Sequence, residues 1–454
     1  MLSSSLLQYR LMTEPIQYRI VAGNAAELVQ SIEAAVADGS LPPGQPLPSI
    51  RRMAGEVGLS PVTVAAAVAE LRRRGVVVSE PRRGSRIGER PPIGSRRASL
   101  PVPPGARDLS QGNPDPELLP DLKRALAGTN LPLRLYGESA ALAELAALAR
   151  ERLAQDGVES ERTCIVSGAL DGIERVIDVH LRAGDRVAAE NPGYAPLFDL
   201  LRARGHTLEP VAVDERGMRP AELRAALSRG ASAVILTPRG QNPTGAALDA
   251  ERAQQLRDVL AAAPDVLVVE DDHLGEVAGS ALHTLVAGRK RWAAARSVAK
   301  ALGPDLRLAM LAGDSPTLAR VEGRQQCGPG WVSYILQRLV LGLWQDPHVA
   351  ELTERAAATY TARRERLLEA LARVGVQASA ASGLNVWVPV EDETGVVAAL
   401  SGRGWVVAAG AQYRLGDSPP AIRITIATLA ESEAERLAGD LAEVCAPARA
   451  ARAG

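Results

Sequence analysis

Short apolar runs alternate with helical stretches along most of the chain, and this alternation limits the folds open to it. Cys164-Ile-Val, Arg186-Val-Ala-Ala, Ala233-Val-Ile-Leu, Val266-Leu-Val-Val and Arg307-Leu-Ala-Met-Leu read as buried strands. Between them, Asp171–His180, Tyr194–Ala203 and Asp249–Ala262 read as helices. Strands without a polar face, separated by helices, imply a mostly parallel sheet covered by helices. Such sheets bind ligands at the carboxyl ends of their strands, so the polar residues that follow each strand are the ones to watch.

At 454 residues the chain holds two or three domains. Its 46% hydrophobic and 23% charged residues suit a globular protein with a large core. The net charge of −1 hides an asymmetry. Residues 1–107 carry fourteen Arg against eight Asp or Glu, a balance of +6, which leaves −7 for the remainder. A basic front on an acidic body points to a polyanion bound by the front alone. Cys164, Cys327 and Cys445 are odd in number and show no metal spacing, which implies a reducing, cytoplasmic setting. No apolar run approaches a membrane span, so no membrane partner is expected.

The front divides into helical segments. Ala25–Asp38 has apolar residues at helical spacing, with Gly39 to Gly44 as its stop. Pro48-Ser49 opens a second helix that Gly58 ends; Ser60 caps a third with Pro61 in its first turn. Gly75 to Gly88 reads as two strands around a turn. The order Leu47-Pro48-Ser49-Ile50-Arg51, Ala54, Gly58-Leu59-Ser60, Thr63-Val64, Leu71, Gly75 and Gly84 resembles the GntR-family DNA-binding domain. The resemblance implies a winged helix-turn-helix, mainly α with a β wing, that binds a double-stranded DNA operator. It places Arg51, Ser60 and Thr63 at the DNA, with Arg82 and Arg83 on the wing. Ala65 stands where the family commonly has Arg, so direct base reading by the third helix is thin.

Only Lys123, Lys290 and Lys300 are lysines among 52 basic residues. Lys300 lies in Ser297-Val-Ala-Lys300-Ala-Leu-Gly-Pro-Asp-Leu-Arg307, beside a Ser and an Arg able to hold a phosphate. An amine that attacks an aldehyde must be a lysine, since arginine is too basic to give up its proton. The pattern is that of a lysine carrying pyridoxal 5′-phosphate. Ser167-Gly168-Ala169 opens a helix whose free amides suit the phosphate. Tyr194 follows a strand and offers a ring to stack on. Asn242, held by the next Pro, offers a hydrogen bond to a phenolate oxygen. Asp271 stands at a strand end, where it keeps a pyridine nitrogen protonated. Neither it nor its neighbours show metal spacing, so no metal is expected.

The ordered set Tyr136-Gly137, Ser167-Gly168-Ala169, Pro192-Gly-Tyr194, Asn242-Pro-Thr-Gly245, Asp271, Ser297-x-x-Lys300, Arg307 and Arg423 looks like an aminotransferase of PLP fold type I. With the winged helix in front, the whole resembles the MocR-type subfamily of GntR regulators. The resemblance implies an α/β domain with a mostly parallel sheet and a smaller α+β subdomain. Lys300 would carry the cofactor, Asp271 pair with its ring nitrogen, Asn242 contact the 3′-oxygen and Tyr194 stack on the ring. Gly168, Ala169, Ser297 and Arg307 would hold the phosphate, and Tyr136 that of the partner subunit in a homodimer. Arg423 would bind an effector carboxylate, with Gly112 lining that side and Asn385 a further candidate. His273 stands where the family usually has a Tyr that donates to the 3′-oxygen; as a cofactor-binding residue a neutral His can also donate, but its charge can change near neutral pH.

The implied domains are residues 1–88 for the winged helix, 89–107 for a Pro/Gly/Arg linker and 108–447 for the aminotransferase-like part. Within the last, the large subdomain takes about 155–325 and the small one about 108–150 and 330–447. The implied function is transcription regulation by PLP, with an amino acid, amine or B6 vitamer as effector sensed by aldimine exchange. A working aminotransferase with an appended DNA-binding domain uses the same inner residues and stays open. The stretch Tyr360–Ala372, with Arg363, Arg364 and Arg366, reads as a solvated helix face, and His180, His206, His283 and His348 as solvated or structural.

Overall fold

The computed structural model describes residues 24–37, 40–73, 75–80, 84–88, 102–416 and 418–445. The chain falls into two compact units, one from its first 96 residues and one from nearly all of the rest. In the first, helices Ala25–Ala37, Ile50–Val57 and Pro61–Arg73 precede a hairpin of β1 (Val77–Glu80) and β2 (Gly84–Ile87). The Ser49 hydroxyl accepts from the Arg52 amide, and Gly58, at φ 71°, closes the second helix in a left-handed conformation that favours glycine. The Ser60 hydroxyl accepts from the Thr63 amide at 3.1 Å and starts the third helix, which bends away from the second by 112°. Leu28, Ile32, Val64, Leu71 and Ile87 are fully buried among the three helices and the hairpin. Each such side chain stabilises by about 1.5–3 kcal/mol. Arg72 donates to the Ser85 hydroxyl at 2.7 Å and ties the third helix to the hairpin. Arg82 and Arg83 lie outside the described residues.

The second unit begins with β3 (Arg107–Asp108) and centres on eight strands: β4 (Thr163–Val166), β5 (Arg186–Asn191), β6 (Thr207–Asp214), β7 (Gly217–Met218), β8 (Ala231–Leu236), β9 (Leu267–Asp272), β10 (Trp292–Ser297) and β11 (Ala309–Gly313). Their order across the sheet is β4-β11-β10-β9-β8-β5-β6-β7. Only β7 and β11 run antiparallel to their neighbours. Alternate residues feed two cores. Val187, Ala233, Ile235, Leu267 and Val269 meet the helix Ala169–His180 on one face; Ala188, Val234, Leu236 and Val268 point into the larger core on the other. The smaller layer has β12 (Asn385–Pro389), β14 (Ala408–Ala409) and β15 (Ala421–Thr425) in the order β12-β15-β14, while β13 (Trp405–Val406) pairs with β3. The 27-residue helix Pro347–Arg373 packs on the helix Glu431–Cys445.

Two expectations change here. The last strand starts at Ala309, two residues later than its apolar run, and runs antiparallel. Arg307 therefore precedes its strand yet sits at the edge where the parallel strands end. The face around Tyr360 is not solvated. Tyr360 and Arg364 are buried, Arg364 donates to the Gly383 carbonyl at 3.1 Å, and Arg363 pairs with Asp115 at 2.7 Å and also reaches the Ala427 carbonyl. The aliphatic stems of these arginines cover core while their heads take backbone and carboxylate partners.

Candidate cofactor site

The carboxyl ends of β4, β5, β8, β9 and β10 open on one edge of the sheet, and the loops beyond them carry the polar residues. Lys300 lies in a short helix just after β10, and its Nζ donates to the Gly112 carbonyl at 2.6 Å. Burial, then the nearby Arg423 charge, lowers the Lys300 amine to about 8. Asp271 is the last residue but one of β9 and is 8% exposed. Burial, reinforced by the neighbouring Asp272, raises its carboxyl to about 7, and among the described residues Oδ1 has no partner. An unsatisfied buried acceptor of this kind costs about 1–3 kcal/mol. A protonated pyridine nitrogen is a donor that would relieve it.

The phosphate end fits as well. Gly168, at φ 104°, precedes the helix Ala169–His180, whose first turn has no side-chain cap. A Cβ on Gly168 would come within 3.0 Å of the Arg307 guanidinium, so glycine leaves the space between them. Arg307 is the only described residue other than glycine at positive φ, 43°. That conformation costs roughly 1–2 kcal/mol and turns the exposed guanidinium towards the Ser167 carbonyl, 3.4 Å away. The Ser297 hydroxyl, at the end of β10, accepts from the Ala299 amide at 3.1 Å, which leaves its own proton able to donate to an anion. Helix amides, a hydroxyl and a guanidinium around one cradle form an anion site.

On the effector side, Arg423 lies in β15, 4% exposed. It donates to Asn242 Oδ1 at 3.0 Å and to the Ser110 carbonyl, and stands 5.0 Å over the Tyr413 ring. With Oδ1 engaged, Asn242 has its amino group left as donor. The Gly112 amide donates to the Thr425 hydroxyl at 3.1 Å, which in turn donates to Asn385 Oδ1 at 3.0 Å. Tyr194 heads the helix Ala195–Ala203, half-buried and close enough to couple to both Arg423 and Tyr413. For His273 the neutral form, able to donate, is the one favoured. Burial, then Lys300, lowers its imidazole to about 4, so it is neutral at physiological pH and does not change charge there. The fold does not bring Tyr136 to this group within one chain. It is 92% exposed and meets Trp331 edge-on at 5.5 Å. Arg51, Ser60 and Thr63 lie in the other unit, where Ser60 and Thr63 share a hydroxyl contact at 2.7 Å and Arg51 is exposed.

Sequence reasoning missed a layer beneath these residues. Asp272 takes Arg239 through two bonds of 2.9 Å and Arg296 at 2.7 Å, all three buried. Asp156 closes the cluster on both arginines, at 2.6 and 3.3 Å. Burial works to raise the Asp272 carboxyl, but Arg239 and Arg296 prevail and hold it at about 2. One carboxylate thus ties the ends of β8, β9 and β10 together. The doubled Asp271-Asp272 and the arginines beside Asn242 and Ser297 were the available signal. Tyr413 had none, since it stands in no local motif.

Residues 106–441 match the family described as aminotransferase class I and II, and residues 24–87 match the bacterial regulatory proteins of the gntR family. The vitamin B6 salvage pathway transcriptional repressor PtsJ of Salmonella typhimurium is 39% identical over 92% of this chain and 97% of its own. The transcriptional regulator TauR of Rhodobacter capsulatus is 30% identical over 78% of this chain and 81% of its own. Among solved structures, an archaeal alanine:glyoxylate aminotransferase superposes with a TM-score of 0.69 at 22% identity, over 76% of this chain and 91% of that one. That likeness shows the fold. With both matches in this order and relatives of this extent, the chain belongs to the MocR-type subfamily of GntR transcription regulators, which joins a winged helix-turn-helix to a pyridoxal phosphate-binding aminotransferase domain.

Proposed function

We propose that this PLP-dependent regulator carries its cofactor on Lys300 and senses a small amine at the same site, changing how its winged helices engage double-stranded DNA. The observation behind this reading is the meeting of Lys300, Gly112 and Arg423. The Lys300 amine bonds the Gly112 carbonyl, and a Cβ on Gly112 would lie 3.5 Å from the Arg423 guanidinium. An amine site and a carboxylate site thus face one backbone segment. Pyridoxal phosphate, when bound, supplies an aldehyde that condenses with amines and a ring that withdraws electrons. Lys300, its pKa lowered, offers more neutral amine at pH 7 than a solvated lysine does. Asp271 would hold the proton at the ring nitrogen, and Asn242, bonded to Arg423, would offer its amino group to the cofactor's 3′-oxygen.

The effector is an amino acid, another amine or a B6 vitamer. The relative named for vitamin B6 salvage favours the vitamer, while a buried Arg423 favours a carboxylate. The protein works as a homodimer. Leu131, Leu133, Leu135 and Tyr136 are 42%, 86%, 65% and 92% exposed along one segment, and a second copy is the natural cover for it. Tyr136 of each copy then reaches its partner's phosphate. A cytoplasmic location follows from the DNA target; among the described residues no single helix is long and apolar enough to cross a membrane. Coupling to DNA requires the effector to bind two conformations unequally.

Absorption spectra and gel shifts on the DNA upstream of its own gene test this reading together. The expected result is a visible band with pyridoxal phosphate that Lys300→Ala abolishes, and a DNA affinity altered by an amino acid or vitamer at fixed salt. Keto-acid release at ordinary turnover rates with no change in DNA affinity would contradict it and favour a working aminotransferase.

A further inference from the structure

The loops bearing Tyr194 and Asn242 leave different strands, β5 and β8, yet both must flank one flat ring. The side chain that spans them is Gln241, which is fully buried. Its Nε2 donates to the Pro192 carbonyl at 2.8 Å and to Glu190 Oε2 at 3.3 Å. Its Oε1 accepts from the Thr244 amide at 2.9 Å and the Thr244 hydroxyl at 2.6 Å. Its backbone amide donates to the Ala246 carbonyl at 3.0 Å, and its carbonyl accepts from the Gly245 amide at 2.6 Å. Both side-chain donors and both side-chain acceptor positions are therefore used, and each backbone group has a partner. One end of the side chain holds the loop that leads into Tyr194; the other holds the turn that follows Asn242.

Glu190 backs this arrangement from the end of β5. It is buried, Oε2 also accepts from the Thr237 amide at 3.2 Å, and among the described residues Oε1 has no partner. Burial, partly offset by Gln241 and Thr237 and reinforced by Asp271, raises its carboxyl to about 8. An acid that stays protonated near neutral pH avoids a charge buried without a cation. An uncharged amide is the side chain that offers two donors and two acceptors at one point, whereas a carboxylate in its place would meet Glu190 with acceptors only.

We infer that Gln241, backed by Glu190, is a positioning residue that sets the spacing of Tyr194 and Asn242 and so the seat of the cofactor ring. The inference rests on the cofactor reading above and extends it to a side chain that does not touch the ring. Full-length Gln241→Leu, Thr244→Val, Glu190→Gln and Glu190→Leu proteins are titrated with pyridoxal phosphate and followed by visible absorbance. The pH midpoint of the bound chromophore and the unfolding of the cofactor-free protein are measured alongside. Gln241→Leu is expected to weaken binding by about tenfold or more and to move the midpoint, with cooperative unfolding kept. Glu190→Gln, which keeps an acceptor, shifts both less than Glu190→Leu. Native affinity and a native midpoint in Gln241→Leu overturn the inference. If that variant does not fold, Thr244→Val carries the test, with a smaller shift in the same direction expected and native values overturning it. An unaltered protein that binds no pyridoxal phosphate contradicts the cofactor reading itself, a different failure from unaffected variants.

Discussion

Among the described residues of the winged-helix unit, every buried side chain is apolar and the arginines lie at or near the surface. In the aminotransferase-like unit, Glu190, Arg239, Gln241, Asp271, Asp272, Arg296 and Arg423 are buried beside the site. The first unit folds on apolar contact and well-made helix caps, and presents charge to solvent for a polyanion. The second encloses groups that destabilise it unless they are paired. Where pairing is complete, as at Asp272, the group is scaffold. Where it is incomplete, as at Asp271 Oδ1, the group is open to a partner from a ligand, the role proposed for it above.

The sharpest way to break the contrast is Asp272→Asn. It leaves Arg239 and Arg296 buried with Asp156 as their remaining carboxylate, and a loss of about 3–5 kcal/mol is expected in denaturant unfolding of the large unit. A loss below about 1 kcal/mol, the range of surface pairs, would mean that the cluster is solvated. Next in size is a pH effect. The Glu190, Glu270 and Asp271 carboxyls are raised to about 8, 7 and 7, mainly by burial, so the folded chain keeps protons that the unfolded chain has released. Stability of the cofactor-free protein should therefore fall as pH rises from about 4, the unfolded carboxyl range, to about 8, the fall being partly offset up to about 6.5 by the His180 and His273 imidazoles, which burial lowers to about 4. Pyridoxal phosphate or Asp271→Asn should flatten that slope in thermal melts across pH; an unchanged slope would place Asp271 outside the cofactor's reach.

In the other unit the effects are smaller. Arg51→Ala should weaken DNA binding and lower the slope of log affinity against log salt by about 1; an unchanged slope removes Arg51 from the phosphate contacts. Least of all, Arg52→Ala breaks the exposed 2.8 Å pair with Glu56 and should change stability by no more than about 0.5 kcal/mol in thermal unfolding. A larger loss would show that the front unit too depends on charge pairing.

Much of this contrast was legible before folding. Strands without a polar face and the residues after them located the ligand edge, and Ser49, Gly58 and Ser60 marked the helix-turn-helix because caps act locally. What was not legible depends on long-range placement. Arg307 is legible as a phosphate holder, but the antiparallel strand that brings it to that edge is not, being a matter of sheet topology. Tyr413 lies beneath Arg423 through the packing of β15. Arg364 carries the charge of a surface residue but is buried because the smaller layer folds over it. The neutrality of His273 comes from burial and from Lys300, neither of which its neighbours in sequence disclose.

With only Lys123, Lys290 and Lys300 in the chain, borohydride reduction with pyridoxal phosphate followed by peptide mapping reads out the site in one step. The expected result is a single phosphopyridoxyl adduct on the peptide that contains Lys300. An adduct on Lys123 or Lys290 in its place, or none, would contradict the assignment on which the large unit's function rests.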